Sequence, residues 1–556
     1  MSAAAWAQRL WAAANLRRWR RFRAALGDPG RCQRRLLLAT LRANAETAFG
    51  RRHRFAGIAT VEDFRRRVPL VRYDELTPWL DRIRRGEPAV LTRDRVLLLT
   101  PSGGSTAAAK LVPFTRALQA EFQRAIGPWV VDLFRRHPGL ARGCAYWSLS
   151  PAAEPAGSEP EPGAVPVGFA DDTAYLAGFF RRLVGRTLAV PAAVSRLADV
   201  ESFRYATLLH LLRARDLALV SVWHPSFWTL LLEPLARHWE RLLEDLAAGT
   251  LTPPAANENG GDAAPAPDPD PARAAELRRL GPGSPAAIWP RLAVISCWAD
   301  GHAAGAAADL AGRFPGVAVE PKGLVATEAF VSLPFAGGRP VAVTSHFFEF
   351  LDDAGRPHPV DELTAGGEYS VVVTTGGGLY RYRLGDRVRV EGFSAATPCL
   401  RFLGREDRVS DRRGEKLAEG HVAAVLERLL GDADAGVRFA MLAPDDAASD
   451  VGYTLYLESK RPPRDGLAAD LERALAANPH YRWCVRLGQL APARVFRVDG
   501  GAHHVYLEHR RRAGQRLGDV KPAALSPESG WSRRFTGRYQ PSAAEPAATA
   551  AAATEC

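Results

Sequence analysis

The sequence predicts an α/β protein built from a large N-terminal domain and a smaller, mobile α+β C-terminal domain. Three observations carry this reading. At 556 residues the chain exceeds what one hydrophobic core usually encloses. Short β-branched and aromatic runs bounded by turn residues alternate with helical-period stretches through most of its length. Past Gly404 a smaller pattern begins, with one amphipathic helix followed by an alternating strand. The expected boundaries are 1–403 for the large domain and 404–540 for the small one. An Ala-rich tail, 541–556, carries no core pattern and is expected to be disordered.

The elements follow in order. From about Arg17 to Phe64 the pattern is helical. The stretch Ala3 to Leu26 mixes Arg9, Arg17, Arg18, Arg20, Arg21 and Arg23 with Trp6, Trp11, Trp19 and Phe22, and has no apolar run followed by a small-residue cleavage site. It reads as a basic amphipathic helix packed on its own domain, not as a secretory signal. The run Val96 to Leu99 is strand-sized and enters a Gly/Ser/Thr-rich loop, Thr100 to Thr115. Leu118, Phe122 and Ile126 then recur at helical spacing with Thr115 as N-cap, giving strand, loop, helix. Residues 250–285 are mostly Pro, Ala, Gly, Asn and Asp and read as a disordered surface insertion. Strands resume at Leu292 to Ser296, Val317 to Val319, Val341 to Thr344 and Val371 to Thr375. In the small domain Val422, Val425, Leu426, Leu429 and Leu430 share a helical face, and Tyr453, Leu455 and Leu457 alternate as in a half-buried strand.

Composition excludes several classes. No apolar run approaches the length that crosses a bilayer. The six cysteines, Cys32, Cys144, Cys297, Cys399, Cys484 and Cys556, form no CxxC pair, which argues against a zinc site or a disulfide framework and fits a reducing cytoplasm. A formal charge of +12 suggests an anionic partner, and a non-catalytic basic scaffold on membrane or nucleic acid is the alternative of another class. Yet of 73 basic residues only five are lysines, Lys110, Lys322, Lys416, Lys460 and Lys521, and the arginines spread along the whole chain. That pattern is a compositional bias rather than a binding patch, so no nucleic-acid partner is expected. A lysine kept in so arginine-rich a chain is a candidate for chemistry that needs a compact ammonium. Lys460 and Lys322 read instead as surface survivors.

Three segments carry chemistry. Thr100-Pro-Ser102-Gly103-Gly104-Ser105-Thr106-Ala-Ala-Ala-Lys110 has the small residues and hydroxyls that surround phosphate oxygens, followed by a lysine. It lacks the GK[ST] ending of a P-loop, and no GxGxxG is present. In Gly323-Leu-Val-Ala-Thr327-Glu328 a hydroxyl and a carboxylate adjoin after a strand, a pair suited to Mg²⁺ and a phosphate. In Gly378-Leu-Tyr-Arg-Tyr-Arg-Leu-Gly-Asp386 a strand closed by a tight turn presents one carboxylate, which can accept from two ribose hydroxyls. Gly404-Arg405-Glu-Asp407 and Gly414-Glu-Lys416 look like a hinge. His503 and His504, read as adjacent strand residues facing opposite ways, receive no role.

These motifs in this order resemble the adenylate-forming superfamily. Within it, GLVATEAFVSLPF, GLYRYRLGDRVRVEGF, GQRLGDVKP, FGRRHRFAGIATVEDFRRRVPL and ISCWADG are similar to the auxin-responsive promoter (GH3) family of acyl acid-amido synthetases, over about residues 40–535. The resemblance implies an ATP-dependent ligase with Mg²⁺ that activates a carboxylic acid as acyl-AMP and conjugates it to an amine such as an amino acid, with an acyl-CoA ligase as the alternative. It implies Ser102, Gly103, Gly104, Ser105, Thr106 and Lys110 as the phosphate loop, and Thr327 and Glu328 at the nucleotide and metal. Asp386 and Arg405 fall at the ribose, and Lys521 is the mobile-domain lysine of adenylation. The chain departs from the superfamily at Ala107, Ala108 and Ala109, where Gly and Pro are usual. Oligomeric state is left open, a monomer being compatible.

Overall fold

The computed structural model describes residues 3–102, 110–148, 165–166, 185–197, 199–254, 264–300, 303–406, 409–413, 415–431, 436–445, 451–512, 520 and 523–540. They form two units. The first holds the described residues up to Phe402 with Arg510–Arg512 and Val520; the second holds those from Leu403 to His509 and 523–540.

In the first unit five helices lead the chain: α1 (Ala3–Ala25), α2 (Pro29–Ala43), α3 (Ala48–Arg52), α4 (Val61–Arg67) and α5 (Tyr73–Arg84). The basic N-terminal helix lies on its own unit, because Trp11, Trp19 and Phe22 share a buried face while Arg9, Arg17, Arg20, Arg21 and Arg23 stay exposed. Its partner is α6 (Arg116–Arg136). A Cβ at Gly127 of α6 would sit 2.7 Å from Asn15 Oδ1, so the glycine sets how closely the two helices approach. Thr115 caps α6 as its position predicts, its hydroxyl accepting the Leu118 N–H at 3.1 Å. Between loop and helix, however, stands a strand. β1 (Leu98–Ser102) pairs antiparallel with β2 (Lys110–Phe114), so the expected strand, loop, helix is a hairpin followed by a helix.

Four parallel strands form the centre, β3 (Cys144–Trp147), β4 (Leu217–Ser221), β5 (Val294–Cys297) and β6 (Ala318–Pro321), in that spatial order. Ala145, Leu219 and Val294 face the core that includes α1 and α6. Their neighbours Tyr146, Val220 and Ile295 face a second core. That core is built with α7 (Val200–Arg213), α8 (Pro225–Leu232), α9 (Trp239–Ala248), α10 (Pro271–Leu280), α11 (Pro285–Ile288) and α12 (Ala304–Arg313). Burial of both faces explains why β5 reads as a continuous apolar run, whereas β6 at the edge is only half-buried.

Helix α10 corrects the expectation of a disordered insertion over 250–285. Residues 255–263 lie outside the described residues, but Asp270 caps α10 and Ala274 and Leu277 enter the second core. The buried Arg273 guanidinium donates to Leu212 O at 3.0 Å and Ile288 O at 2.6 Å. A segment with few apolar anchors is held by hydrogen bonds that composition does not reveal.

An antiparallel sheet completes the unit: β7 (Phe347–Leu351), β8 (Pro357–His358), β9 (Glu368–Thr374), β10 (Tyr382–Ser394) and β11 (Thr397–Arg405), ordered β11-β10-β9-β7-β8. Val341 to Thr344 is not the strand its β-branched residues suggest. Val341 makes one bridge to Ser332, and Ser345 turns the chain by donating from its hydroxyl to Ala342 O at 2.6 Å.

The second unit contains β12 (Val409–Ser410), β13 (Leu417–Ala418), α13 (Glu419–Leu430), β14 (Val437–Asp445), β15 (Gly452–Ser459), α14 (Leu467–Leu475), α15 (Pro479–Arg486), β16 (Ala491–Val498) and β17 (Gly537–Tyr539), with its sheet ordered β14-β15-β16-β17. β15 is buried on both faces, not one. Tyr453, Leu455 and Leu457 meet Val422, Val425 and Leu471, while Tyr456 on the other face meets Phe496 and Phe535. His503 and His504 lie in α16 (Ala502–Arg512) rather than a strand. His503 packs its ring against Phe439 at 5.3 Å, and burial pulls its pKa down to about 4.

Candidate active site

The hairpin β1–β2 places Ser102 directly opposite Lys110, so the two ends of the Gly-rich segment are fixed by sheet register. Gly103, Gly104, Ser105 and Thr106 lie outside the described residues. The hairpin is tied to α5, where the Tyr73 hydroxyl accepts the Leu111 N–H at 2.7 Å and the Lys110 ammonium stands 5.9 Å from the Tyr73 ring centroid.

Thr327 and Glu328 occupy the tip of a tight reversal. Val325 bridges Phe330 antiparallel, and Ala326 N–H donates to Ala329 O at 2.9 Å, which leaves these two residues at the bend. Glu328 is buried. Gly323, at φ 75°, begins the segment, and a Cβ there would lie 2.4 Å from Ser332 O. The returning arm is braced from behind. Phe330 N–H donates to His346 Nε2 at 3.1 Å, so the imidazole carries its proton on Nδ1, which donates to Glu121 Oε2 at 3.0 Å. Glu121 in turn accepts the Gly376 N–H at 2.9 Å, and Gly376 O accepts from the hydroxyls of Thr92 and Thr115. This buried chain joins α6, the Thr327–Glu328 turn and the glycine turn after β9.

Neither Glu121 nor His346 is among the residues singled out from sequence. The signal is a carboxylate on the apolar face of α6 shared by Leu118 and Phe122, where an unpaired charge would be costly.

Asp386 sits inside β10, not at a turn that closes it. Arg383 pairs with Val372 and Arg387 with Ser370, so Leu384, Gly385 and Asp386 together oppose Val371 alone. Gly385 takes φ 78° at this bulge, and Asp386 is buried. The start of β10 is held by Arg381, whose guanidinium donates to both oxygens of buried Glu349, at 2.9 and 3.2 Å, and to Val68 O at 2.9 Å. Arg65 donates to the same carboxylate at 2.8 Å.

Arg405 ends β11 within the second unit. Lys521, Asp407 and Gly414 lie outside the described residues. Lys416 has φ 45° in the turn after the buried Glu415, which accepts the Arg412 and Arg413 N–H groups at 2.8 and 2.7 Å. Lys460 is exposed as expected, but Lys322 is not a surface residue. It is 8% exposed, with Nζ donating to Ser221 Oγ at 2.5 Å.

Across the chain, residues 18–318, 340–405 and 421–529 match the N-terminal, central and C-terminal domains of one family in order. The chain belongs to the GH3 family. It is 26% identical over 460 residues to the indole-3-acetic acid-amido synthetase GH3.8 of Oryza sativa subsp. indica, covering 78% of this chain and 74% of that one. It is 28% identical over 415 residues to the indole-3-acetic acid-amido synthetase GH3.15 of Arabidopsis thaliana, covering 67% of each. The fold matches the structure of AtGH3.15 acyl acid amido synthetase in complex with 2,4-DB with a TM-score of 0.79 at 20% identity, over 92% of this chain and 94% of that one.

Proposed function

We propose that this protein is an ATP-dependent ligase that converts a carboxylic acid to its acyl-AMP and passes the acyl group to the amine of an amino acid. The observation that carries the reading is the Thr327–Glu328 turn, a hydroxyl and a buried carboxylate held at one bend by the His346–Glu121 pair, in a chain of the GH3 family.

A carboxylate is a poor electrophile, and attack of its oxygen on the α-phosphorus of ATP with loss of pyrophosphate gives it a good leaving group. In this reading Ser102 and the residues after it cradle phosphate oxygens through N–H and hydroxyl groups, with Lys110 beside them. Thr327 donates its hydroxyl to the α-phosphate or the acid. Asp386 accepts from the ribose hydroxyls, and Arg405 supplies a second ribose contact. Lys521 offsets the negative charge on the bridging oxygen.

Mg²⁺, when bound, neutralises phosphate charge. Glu328 is the residue to hold it, since a buried carboxylate beside a hydroxyl is an all-oxygen donor set, and Mg²⁺ commonly binds through one or two carboxylates plus phosphates. Movement of the small domain about the region of Arg405 to Asp407 would withdraw Lys521 and admit the nucleophile.

The test is pyrophosphate release by purified protein with ATP, Mg²⁺ and a panel of aromatic, indolic and aliphatic acids, with and without mixed amino acids or coenzyme A, beside Lys521→Ala and Asp386→Ala. An amide formed with an amino acid, and lost in both variants, is the expected result. Turnover with coenzyme A alone would make the protein an acyl-CoA ligase. No acid activated and no ATP bound would overturn the reading.

A further inference from the structure

Lys322 directly follows β6 and is fixed there by its own N–H, which donates to Cys297 O at 3.0 Å. Its ammonium is buried between two tryptophans, 5.3 Å from the Trp129 ring centroid and 5.2 Å from that of Trp223. Ser221 Oγ is its hydrogen-bond partner. No carboxylate among the described residues pairs with it, although a buried ammonium ordinarily requires one.

The surroundings are short of acceptors in the same way. Register sets Trp147 beside Ser221 and Ser221 beside Ser296, so these side chains share one face of the parallel sheet, the face turned toward α6. Trp129 of α6 lies 6.1 Å from Trp147, centroid to centroid. Ser296 is fully buried, and neither its hydroxyl nor Trp129 Nε1 has a hydrogen-bond partner among the described residues. The ammonium thus has one hydroxyl oxygen as its partner, and the Ser296 hydroxyl and the Trp129 N–H on the same side have none among the described residues. The place is the carboxyl end of a parallel sheet, where α/β proteins bind their ligands. It lies five residues before Thr327 in the chain.

We infer that Lys322, Ser296 and Trp129 receive an oxygen acceptor on the acid substrate remote from the carboxylate that is activated, and that the substrate is an aromatic acid bearing a distal hydroxyl or carboxylate. The inference rests on the acid-activating function proposed above. The ammonium supplies the charge-assisted hydrogen bond, the hydroxyl and indole N–H complete the donor set, and the tryptophan faces hold the ring. An acid with a methyl group in that position would bury the ammonium against hydrocarbon and be rejected.

Two measurements separate this from the adenylation reading. In the first, pyrophosphate release is followed with para-hydroxybenzoate, terephthalate and para-toluate in the wild type, Lys322→Met and Ser296→Ala. The wild type is expected to favour an oxygen-bearing acid over para-toluate by about 10- to 100-fold in kcat/KM, and Lys322→Met to erase that ratio mainly through KM. Ser296→Ala, which removes one atom and keeps the fold if Lys322→Met does not, is expected to lower the ratio by about 3- to 10-fold. In the second, the same acids are titrated without ATP against tryptophan fluorescence. Saturable quenching by an oxygen-bearing acid, weakened at least about 10-fold by Lys322→Met or about 3-fold by Ser296→Ala, supports the inference even if no acid is activated. Equal acid ranking and equal titrations in the wild type and both variants would overturn it while leaving adenylation standing.

Discussion

The backbone N–H of Phe330 donates to Nε2 of His346 at 3.1 Å, and this single bond connects the turn bearing Thr327 and Glu328 to a carboxylate on another helix. Replacing the ring by His346→Phe keeps an aromatic side chain but removes both hydrogen bonds, leaving Glu121 and a peptide N–H without these partners. A loss of about 2 to 4 kcal/mol in urea unfolding is expected. A fall of roughly 10- to 100-fold in the rate of pyrophosphate release is expected alongside it, because the turn is no longer held in place. An unchanged rate in folded protein would reduce His346 to a packing residue.

Glu349 is shared by Arg381 and Arg65, and all but Arg65 are fully or nearly fully buried. Glu349→Gln leaves the Arg381 guanidinium uncompensated inside the protein and is expected to cost about 3 to 5 kcal/mol. Equilibrium denaturation followed by far-ultraviolet circular dichroism reads this directly.

Lys322 makes the opposite prediction. Burial lowers its pKa from 10.5 to about 8, so the folded protein binds this proton less tightly than the unfolded chain does. Below pH 8 both states carry the proton and the folded state bears the full penalty, roughly 3 kcal/mol. Between pH 8 and 10.5 the unfolded state holds more of it, so stability from this group rises with pH. Lys322→Met should therefore be more stable than the wild type at neutral pH, by about 1 to 2 kcal/mol once the lost Ser221 and tryptophan contacts are counted. Thermal unfolding at a series of pH values should show that advantage shrinking as pH rises through this window.

Arg273 holds α10 to Leu212 and Ile288, so Arg273→Ala should release the segment. The expected loss is about 2 to 3 kcal/mol, with new proteolytic cleavage confined to the region between α9 and α11. Cleavage elsewhere would contradict this anchoring role.

Asp386→Asn keeps the shape of the bulge while halving the acceptors and removing the charge. If the carboxylate receives ribose hydroxyls, the ATP-dependent rise in Tm seen with the wild type should shrink in this variant, each rise being measured against the same protein without nucleotide. An identical ATP response in both proteins would remove Asp386 from the nucleotide site.

The parts of the fold legible in sequence are those whose burial leaves a period. The N-terminal helix was readable because Trp11, Trp19 and Phe22 recur on one side against arginines, and β5 because a strand buried on both faces is continuously apolar. Long-range polar structure leaves no such trace. Arg273 looks like any arginine in a biased composition, and Lys322 looks like a surface lysine, until β4 and α6, far from it in sequence, bring Ser221 and Trp129 to it. Thr327, Glu328 and Asp386 stand out in the sequence by their neighbouring residue types, and the roles proposed for them rest on the family resemblance and on the turn and bulge that hold them. Glu121 and His346 were not, since their pairing spans 225 positions.

The excursion at Leu384, Gly385 and Asp386 adds two residues to β10 relative to β9, and an even number has a structural meaning. The strand leaves its ladder and rejoins it in phase, so Tyr382 before the excursion and Val388 after it both remain inward, and Arg387 and Arg389 remain free to meet Glu368. Removing Gly385 alone would turn the rest of the strand inside out, whereas removing Gly385 and Asp386 together would restore one-to-one pairing with β9 and take the carboxylate with it. The Asp386 carboxylate thus stands on an insert of even length, and a chain that had lost those two residues would keep the rest of the strand in phase.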